Sequence, residues 1–249
     1  MDRLAFTGIL LALLAIVGGF ALEGGGISAL FHLPAFLIVI GGSFGAVMLQ
    51  SPSQQFIRGL KMFPQVWRRF PLYLPEHKDN IIIWSELARQ QGFLSLEQFA
   101  VAERDPFLHK GLMLLVDGAP ESVIKENLEL EIELESEQQL KAIEVYDSLG
   151  GFSPTIGILG AVLGLIQAMT QINDPDALGA GIATAFVATI YGVGAANLLF
   201  IPIAQKLKSQ VQSLVLQREM LMTGLIAISR GDNPRFIANR LDAYIASAD

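Results

Sequence analysis

Two uninterrupted apolar runs, separated by a gap too short for anything but a turn, constrain this chain more than any other feature. Residues 152–172 and 178–204 contain no Asp, Glu, Lys, Arg or His. Each run exceeds the roughly 20 residues with which a helix crosses a hydrocarbon core about 30 Å thick. Asn173-Asp174-Pro175-Asp176 lies between them, so a transmembrane hairpin is expected. Its polar side chains are uncharged: Ser153, Thr155, Gln167, Thr170, Thr184, Thr189, Tyr191 and Asn197. Gly157, Gly160 and Gly164 recur at spacings that let helix backbones approach closely in lipid, where packing drives association. Pro154 and Pro202 frame the hairpin, which suits either helix ends or a hinge.

Two further apolar runs precede it. Residues 4–22 are apolar throughout, lack a small-residue cleavage pattern and are followed at once by a second run, so a retained span is expected and not a signal peptide. Glu23-Gly24-Gly25-Gly26 breaks it, a connection containing His32 follows, and Pro34 opens a second run to Leu49 with Gly41 and Gly45 as another small-residue pair. The connections 23–33 and 173–177 carry no Lys or Arg, whereas Arg58, Lys61, Arg68, Arg69 and Lys78 follow the second run and Lys206, Lys208 and Arg218 follow the fourth. By the positive-inside rule both termini and the long middle segment are cytoplasmic. The expected fold is therefore all-α and polytopic. Residues 1–50 form transmembrane helices 1 and 2, and 51–149 a helical cytoplasmic domain. Residues 150–207 form helices 3 and 4, and 208–249 a helical cytoplasmic tail.

In the middle segment, residues 81–90 have helical spacing with Ile83 and Leu87 on the packed side, and Gly92 is a natural C-cap. Ser95 and Gln98 have the spacing of a capping box. Asp117-Gly118 ends a helix over 107–116, and Pro120 opens the next as its first residue. Leu128 to Glu135 alternates apolar and acidic residues as a strand would. Leu and Glu are nevertheless strong helix formers, and no turn signal interrupts 121–148, so one long helix is expected. The tail is amphipathic from 205 to 228, and Pro234 starts a last helix to Ile245.

Composition narrows the chemistry. A net charge of −7 argues against nucleic-acid binding, and the absence of Cys removes thiol chemistry and Cys-ligated metal. The three histidines, His32, His77 and His109, form no ligand-spaced motif, and no hydrolase, phosphate-loop or dinucleotide signature occurs. An enzyme is not expected, nor any cofactor. Ion translocation needs an ion-binding group near the membrane midplane, usually a carboxylate. These spans have none, so either the chain conducts nothing or another subunit supplies the carboxylate.

Ser153-Pro-Thr-Ile-Gly-Ile-Leu-Gly-Ala-Val-Leu-Gly-Leu-Ile, Asn173-Asp-Pro, Ala188-Thr-Ile-Tyr-Gly and Pro202-Ile-Ala-Gln-Lys-Leu resemble the hairpin of the flagellar stator A subunits, the MotA/PomA family. Ala88-Arg-Gln-Gln-Gly-Phe-Leu-Ser-Leu-Glu, Leu114-Leu-Val-Asp-Gly and Asp232-Asn-Pro-Arg extend the resemblance over the chain. It implies a bacterial inner-membrane pentamer around two copies of a MotB/PomB-type subunit whose transmembrane Asp carries the ion, driving the rotor protein FliG. It further implies that Ala161, Thr189, Thr155 and Tyr191 line or select for the ion path. Pro154 and Pro202 would act in conformational change, and Arg89 and Glu97 would meet FliG. Gln90 and Gln98 replace ionisable groups found in some relatives. Sodium-driven relatives resemble one another in carrying threonine at the position of Ala161; with no side-chain oxygen there to replace sodium's hydration shell, a proton is the expected ion. An ExbB/TolQ-like energiser of a non-flagellar process is the alternative, and a non-conducting scaffold a third.

Overall fold

The computed structural model describes residues 3–67 and 72–248. Arg68 and Arg69 of the basic cluster fall outside that range. Helices make up the regular structure, and no strand occurs among the described residues. The chain divides into two compact units.

The first unit comprises Met1–Arg69 and Leu140–Lys208. It holds α1 (Arg3–Leu22), a 3-10 turn at Ile27–Leu30, and a second span built from α2 (Leu33–Phe36), a π-turn (Leu37–Gly41) and α3 (Gly42–Gln50). α4 (Ser53–Met62) follows. The hairpin is formed by the later part of α8 (Glu121–Thr170), α9 (Pro175–Ala195), a π-turn (Ala196–Phe200) and the start of α10 (Ile201–Ser229). The described chain has four helices long and apolar enough to cross a membrane, α8 and α10 running on well past the apolar stretch. The spans are helical, so their backbone groups pair along the segment, the condition for residing in hydrocarbon, except where Pro154 and Pro202 lack an N–H. At one end of this unit Tyr146, buried on α8, donates to the Gly59 carbonyl of α4 at 3.0 Å. Burial pushes that phenol up to about 12, so it remains a donor at physiological pH. Asp147, the next residue of α8, pairs with Lys208 of α10 at 2.7 Å.

The second unit comprises Phe70–Gln139 and Ser209–Asp249. α5 (Leu74–Gln91), a 3-10 turn (Phe93–Leu96), α6 (Glu97–Ala102), α7 (Pro106–Val116), the first part of α8, the last part of α10 and α11 (Pro234–Ala248) enclose one apolar core. Phe107, Leu112, Leu128, Met220, Leu225 and Leu241 are among its fully buried members. The alternating Leu/Glu passage is helical, as residue preference and not periodicity indicates. Leu128 is buried while Glu129 and Glu133 are exposed.

Three local expectations change. The buried stripe of α5 is Leu74, Ile81, Trp84, Ser85 and Ala88, whereas Ile83 is 52% exposed. Trp84 selects that register by stacking at a tilt on Phe99, 6.2 Å between ring centroids. Ser95 does not cap: its hydroxyl donates to the Gly92 carbonyl at 2.6 Å inside the 3-10 turn, and α6 starts two residues later. Gly92 does end α5, at φ +83°, a conformation that favours glycine. Pro120 precedes α8 by one residue and accepts from the Val123 and Ile124 amides, so it closes the first turn from the cap position.

Candidate functional site

The hairpin is held by backbone-to-backbone approach. A Cβ added at Gly157 would lie 3.0 Å from the Ala188 carbonyl oxygen and 3.1 Å from Gly192 Cα. At Gly192 it would lie 2.5 Å from the Ser153 carbonyl oxygen, and at Gly164 2.8 Å from the Ala185 nitrogen. Small residues therefore run along both helices for their shared length, and van der Waals contact replaces the hydrophobic drive that lipid cannot supply. The second span lies against the same hairpin. Ile38 approaches Gly160, Ile156 approaches Gly42, and Ala35 and Val39 bury themselves on Val187 and Ala188. Gly42 makes this approach; a Cβ added at Gly41 or Gly45 would meet no atom within 4 Å.

These contacts place the candidate ion-path residues. Gly160 meets Ala188 across the hairpin, and the following residues Ala161 and Thr189 step in opposite directions from that contact, so they lie within about 3 Å of one depth. At 100° per residue, Ala161 is displaced by roughly 40° from the packed line of α8 through Gly157, and Thr189 by roughly 60° from that of α9 through Gly192. The helices are antiparallel, so both displacements lead to the same side of the hairpin. Both residues are half-buried, and the second span covers the other side. Thr155 is exposed on the face of α8 opposite the packed line. Tyr191 is on the second-span side: its hydroxyl donates to the Leu30 carbonyl and accepts from the His32 amide at 3.1 Å, and its ring meets Phe36 edge-on at 6.3 Å. Ala161 and Thr189 are thus brought together, while Thr155 and Tyr191 occupy separate faces.

The polar groups of the hairpin largely satisfy themselves. Ser153, Thr155, Thr170, Thr184 and Thr189 donate to carbonyls three or four residues back, and Asn197 does the same with its amide. Each hydroxyl proton is committed to backbone, which leaves only oxygen lone pairs to offer an ion or water. Pro154 lies inside α8, and Pro202 lies in a helical stretch that continues from α9. A proline there gives no N–H to the carbonyl one turn earlier. Beside Pro202 the helix widens instead, with the Ile201 N–H bonding Ala196 five residues back. Ile201 in turn packs on Gly150, whose added Cβ would lie 2.7 Å from it. Pro154 lies a turn away from that contact, near the level of Gly192, so the two prolines are offset along the hairpin. Pro202 also borders an apolar cleft of about 340 Å³ shared with Leu4, Gly8 and Ala12 of α1.

In the second unit, Arg89 is in the last turn of α5 and Glu97 opens α6, each favourably placed for its helix dipole. Both are exposed and neither makes an ion pair within the described residues. Sequence reading missed the polar centre of this unit. Arg218, 7% exposed, extends over the Phe107 ring at 4.6 Å, donates to Asp105 at 2.5 Å and approaches Glu135 at 3.7 Å. Asp105 also caps α7, accepting from the Phe107 and Leu108 amides. Gln217 donates to His77 Nε2 at 2.8 Å, and burial lowers the His77 pKa against the opposing pull of Glu76, Asp105 and Glu103. The Asp-Pro start of α7 was a legible capping signal; nothing marked Arg218 as its partner. No group of three or more metal-ligating side chains occurs among the described residues.

Known proteins match along the whole length. The MotA/TolQ/ExbB proton channel family model matches residues 100–220, and the motility protein A N-terminal model matches residues 6–91. Motility protein A of Bacillus subtilis is 32% identical over 100% of this chain and 93% of its own length. The chemotaxis protein PomA of Vibrio alginolyticus is 33% identical over 95% of both chains. A chain in the C. jejuni MotAB structure superposes with a TM-score of 0.93 at 32% identity, covering 98% of this chain and 96% of that one.

Proposed function

Since this chain belongs to the motility protein A family of MotA/PomA stator subunits, we propose that it conducts protons beside a MotB-type carboxylate and converts that flow into torque on a rotor. It is a flagellar motor stator subunit and not an enzyme, a multi-pass protein of the inner membrane that works with a MotB partner. The finer reading follows from chemistry. Ala161 and Thr189 flank the side of the hairpin left open by the second span, and no charged group interrupts the spans. That side would face the partner's ion-carrying Asp, with Thr189 lending its lone pairs. Ala161 offers no oxygen, so the site lacks the ligands that sodium needs in place of its hydration shell, whereas a proton requires only the carboxylate and a water path. Thr155 would border the same conduit from the far face of α8, and Tyr191 would act at one remove by fixing the outer connection.

The remaining assignments are part of the same proposal. Five copies would surround two B subunits, and both termini would be cytoplasmic, as the Lys/Arg distribution favours. The segments 51–149 and 208–249 would make up the cytoplasmic mass. Arg89 and Glu97, exposed and unpaired at adjoining helix ends, would meet opposite charges on FliG, setting register more than affinity. Pro154 and Pro202 would let the hairpin flex as the ion passes. An energiser of the ExbB/TolQ type is not favoured, because relatives that match over the full length include motility protein A of Bacillus subtilis and of Helicobacter pylori.

The test is swimming of a stator-deleted host carrying this chain and its B partner, across sodium concentrations and with a protonophore. Sodium-independent swimming abolished by the protonophore is expected. Swimming that follows external sodium and ignores the protonophore would overturn proton coupling; assembly without swimming under either gradient would overturn torque generation.

A further inference from the structure

His32 makes more contacts than a connecting loop requires. Its Nδ1 accepts from the Ala35 amide at 3.4 Å, capping the start of the second span. Its Nε2 lies 3.1 Å from Thr184 Oγ of the fourth span, and its own amide donates to Tyr191 of that helix. Thr184 has already given its hydroxyl proton to the Ala180 carbonyl at 2.9 Å, so toward His32 it can only accept. One protonation state satisfies every contact: the neutral imidazole with its hydrogen on Nε2. A second proton would go to Nδ1 and set a donor against the Ala35 amide, while adding positive charge at the positive end of the helix. Both consequences act in the same direction.

We propose that His32 is a pH-operated latch at the rim of the hairpin: neutral, it caps the second span while bound to the fourth; protonated, it stays on Thr184 through Nε2–H and lets go of the start of the second span. The added proton sets Nδ1–H against the Ala35 amide, so the latch opens as the surrounding solution acidifies. Tyr191 is the titratable group that contacts His32 from the packed fourth span, through the His32 amide and not the ring. From the hairpin otherwise the uncharged Thr184 faces it, and from the second span the Ala35 amide. The acids of the two connections, Glu23 and Asp174, are exposed. Because residues 23–33 lie outside the cell under the proposed orientation, on which this inference rests, the latch would respond to external pH. It would slacken the wall opposite Ala161 and Thr189, lowering stator output in acid.

Hydrogen exchange on the full stator complex in lipid nanodiscs tests the latch without relying on motor function. After correction for intrinsic rates, residues 33–38 should exchange about fivefold faster at pH 5.5 than at pH 7.5, the scale of losing one cap. His32→Asn, which can cap but does not titrate, should abolish that difference. No acceleration in the unsubstituted protein, or an equal one in the variant, overturns the proposal. Should the variant fail to assemble, ring nitrogen signals of His32 decide: an Nε2-protonated neutral ring at pH 7.5 supports the latch and the other tautomer refutes it. The orientation is checked separately with His32→Cys, since the chain has no other cysteine. Labelling of intact cells by an impermeant maleimide places the latch outside; labelling only after permeabilisation overturns the orientation and leaves the exchange result standing.

Discussion

Gly192→Ala is the most direct challenge to close backbone packing in the hairpin. The added methyl would begin 2.5 Å from the Ser153 carbonyl oxygen and close to the backbone of Gly157. Ordinary carbon–oxygen contact starts at about 3.3 Å, so the helices must part by roughly 0.8 Å. Neither obstacle is a side chain that can swing aside. A gap of 0.5–1 Å forfeits about a quarter to a half of each dispersion contact along the line, and overpacking of this kind costs about 1–3 kcal/mol. We expect about 2 kcal/mol, a roughly 30-fold shift toward the dissociated hairpin. Gly194→Ala is the matched control: two residues along, with no atom within 4 Å of the new methyl. Paired cysteines at the Gly160 and Ala188 level, in a chain naturally free of cysteine, report helix separation by disulfide yield in membranes, and thermal unfolding of the purified complex reports stability. Gly192→Ala should lower both and Gly194→Ala neither. If the two variants behave alike, close backbone approach does not hold this hairpin together.

Ala161→Thr should introduce a sodium dependence that the native chain lacks, read as swimming speed against external sodium, while Thr189→Ala should cut proton flux without loss of assembly. Asp105→Ala removes the α7 cap and strands the buried Arg218, and a loss of about 2 kcal/mol in stability of the second unit is expected from thermal unfolding. His77 works with the opposite sign to a salt-bridged acid. Its folded pKa is lowered from 6.5, so below about pH 6.5 the unfolded chain takes up a proton that the folded one refuses. Stability should therefore decline as pH drops from about 6.5 toward the folded pKa and stay flat above, and His77→Gln should remove that slope in a pH series of unfolding curves.

The spans were legible in the sequence because membrane insertion tests a property carried by contiguous residues: length and the absence of charge. Helix ends at Gly92, Gly118 and Pro234 were legible for a related reason, since a positive φ or a missing N–H acts within one turn. The line Gly157, Gly160, Gly164 was visible as a close-packing surface. What it packs against was not, and in the second span the partner proved to be Gly42 in place of Gly41 and Gly45. Ile83 was expected to be buried because spacing fixes a stripe but not its phase; the phase was chosen by Trp84 finding Phe99.

The amino-acid sequence by itself determined that this chain has four apolar spans, a helical remainder and no carboxylate of its own in the membrane, because composition and local backbone chemistry decide those properties one segment at a time. Only the tertiary structure decided that Ala161 and Thr189 lie at nearly the same depth and on one side, that Tyr191 turns away to hold the outer connection, and that Arg218 and His32 each join helices more than a hundred residues apart. Those relations depend on how one helix is rotated against another, and that rotation is settled by packing between residues with no local signal to announce it.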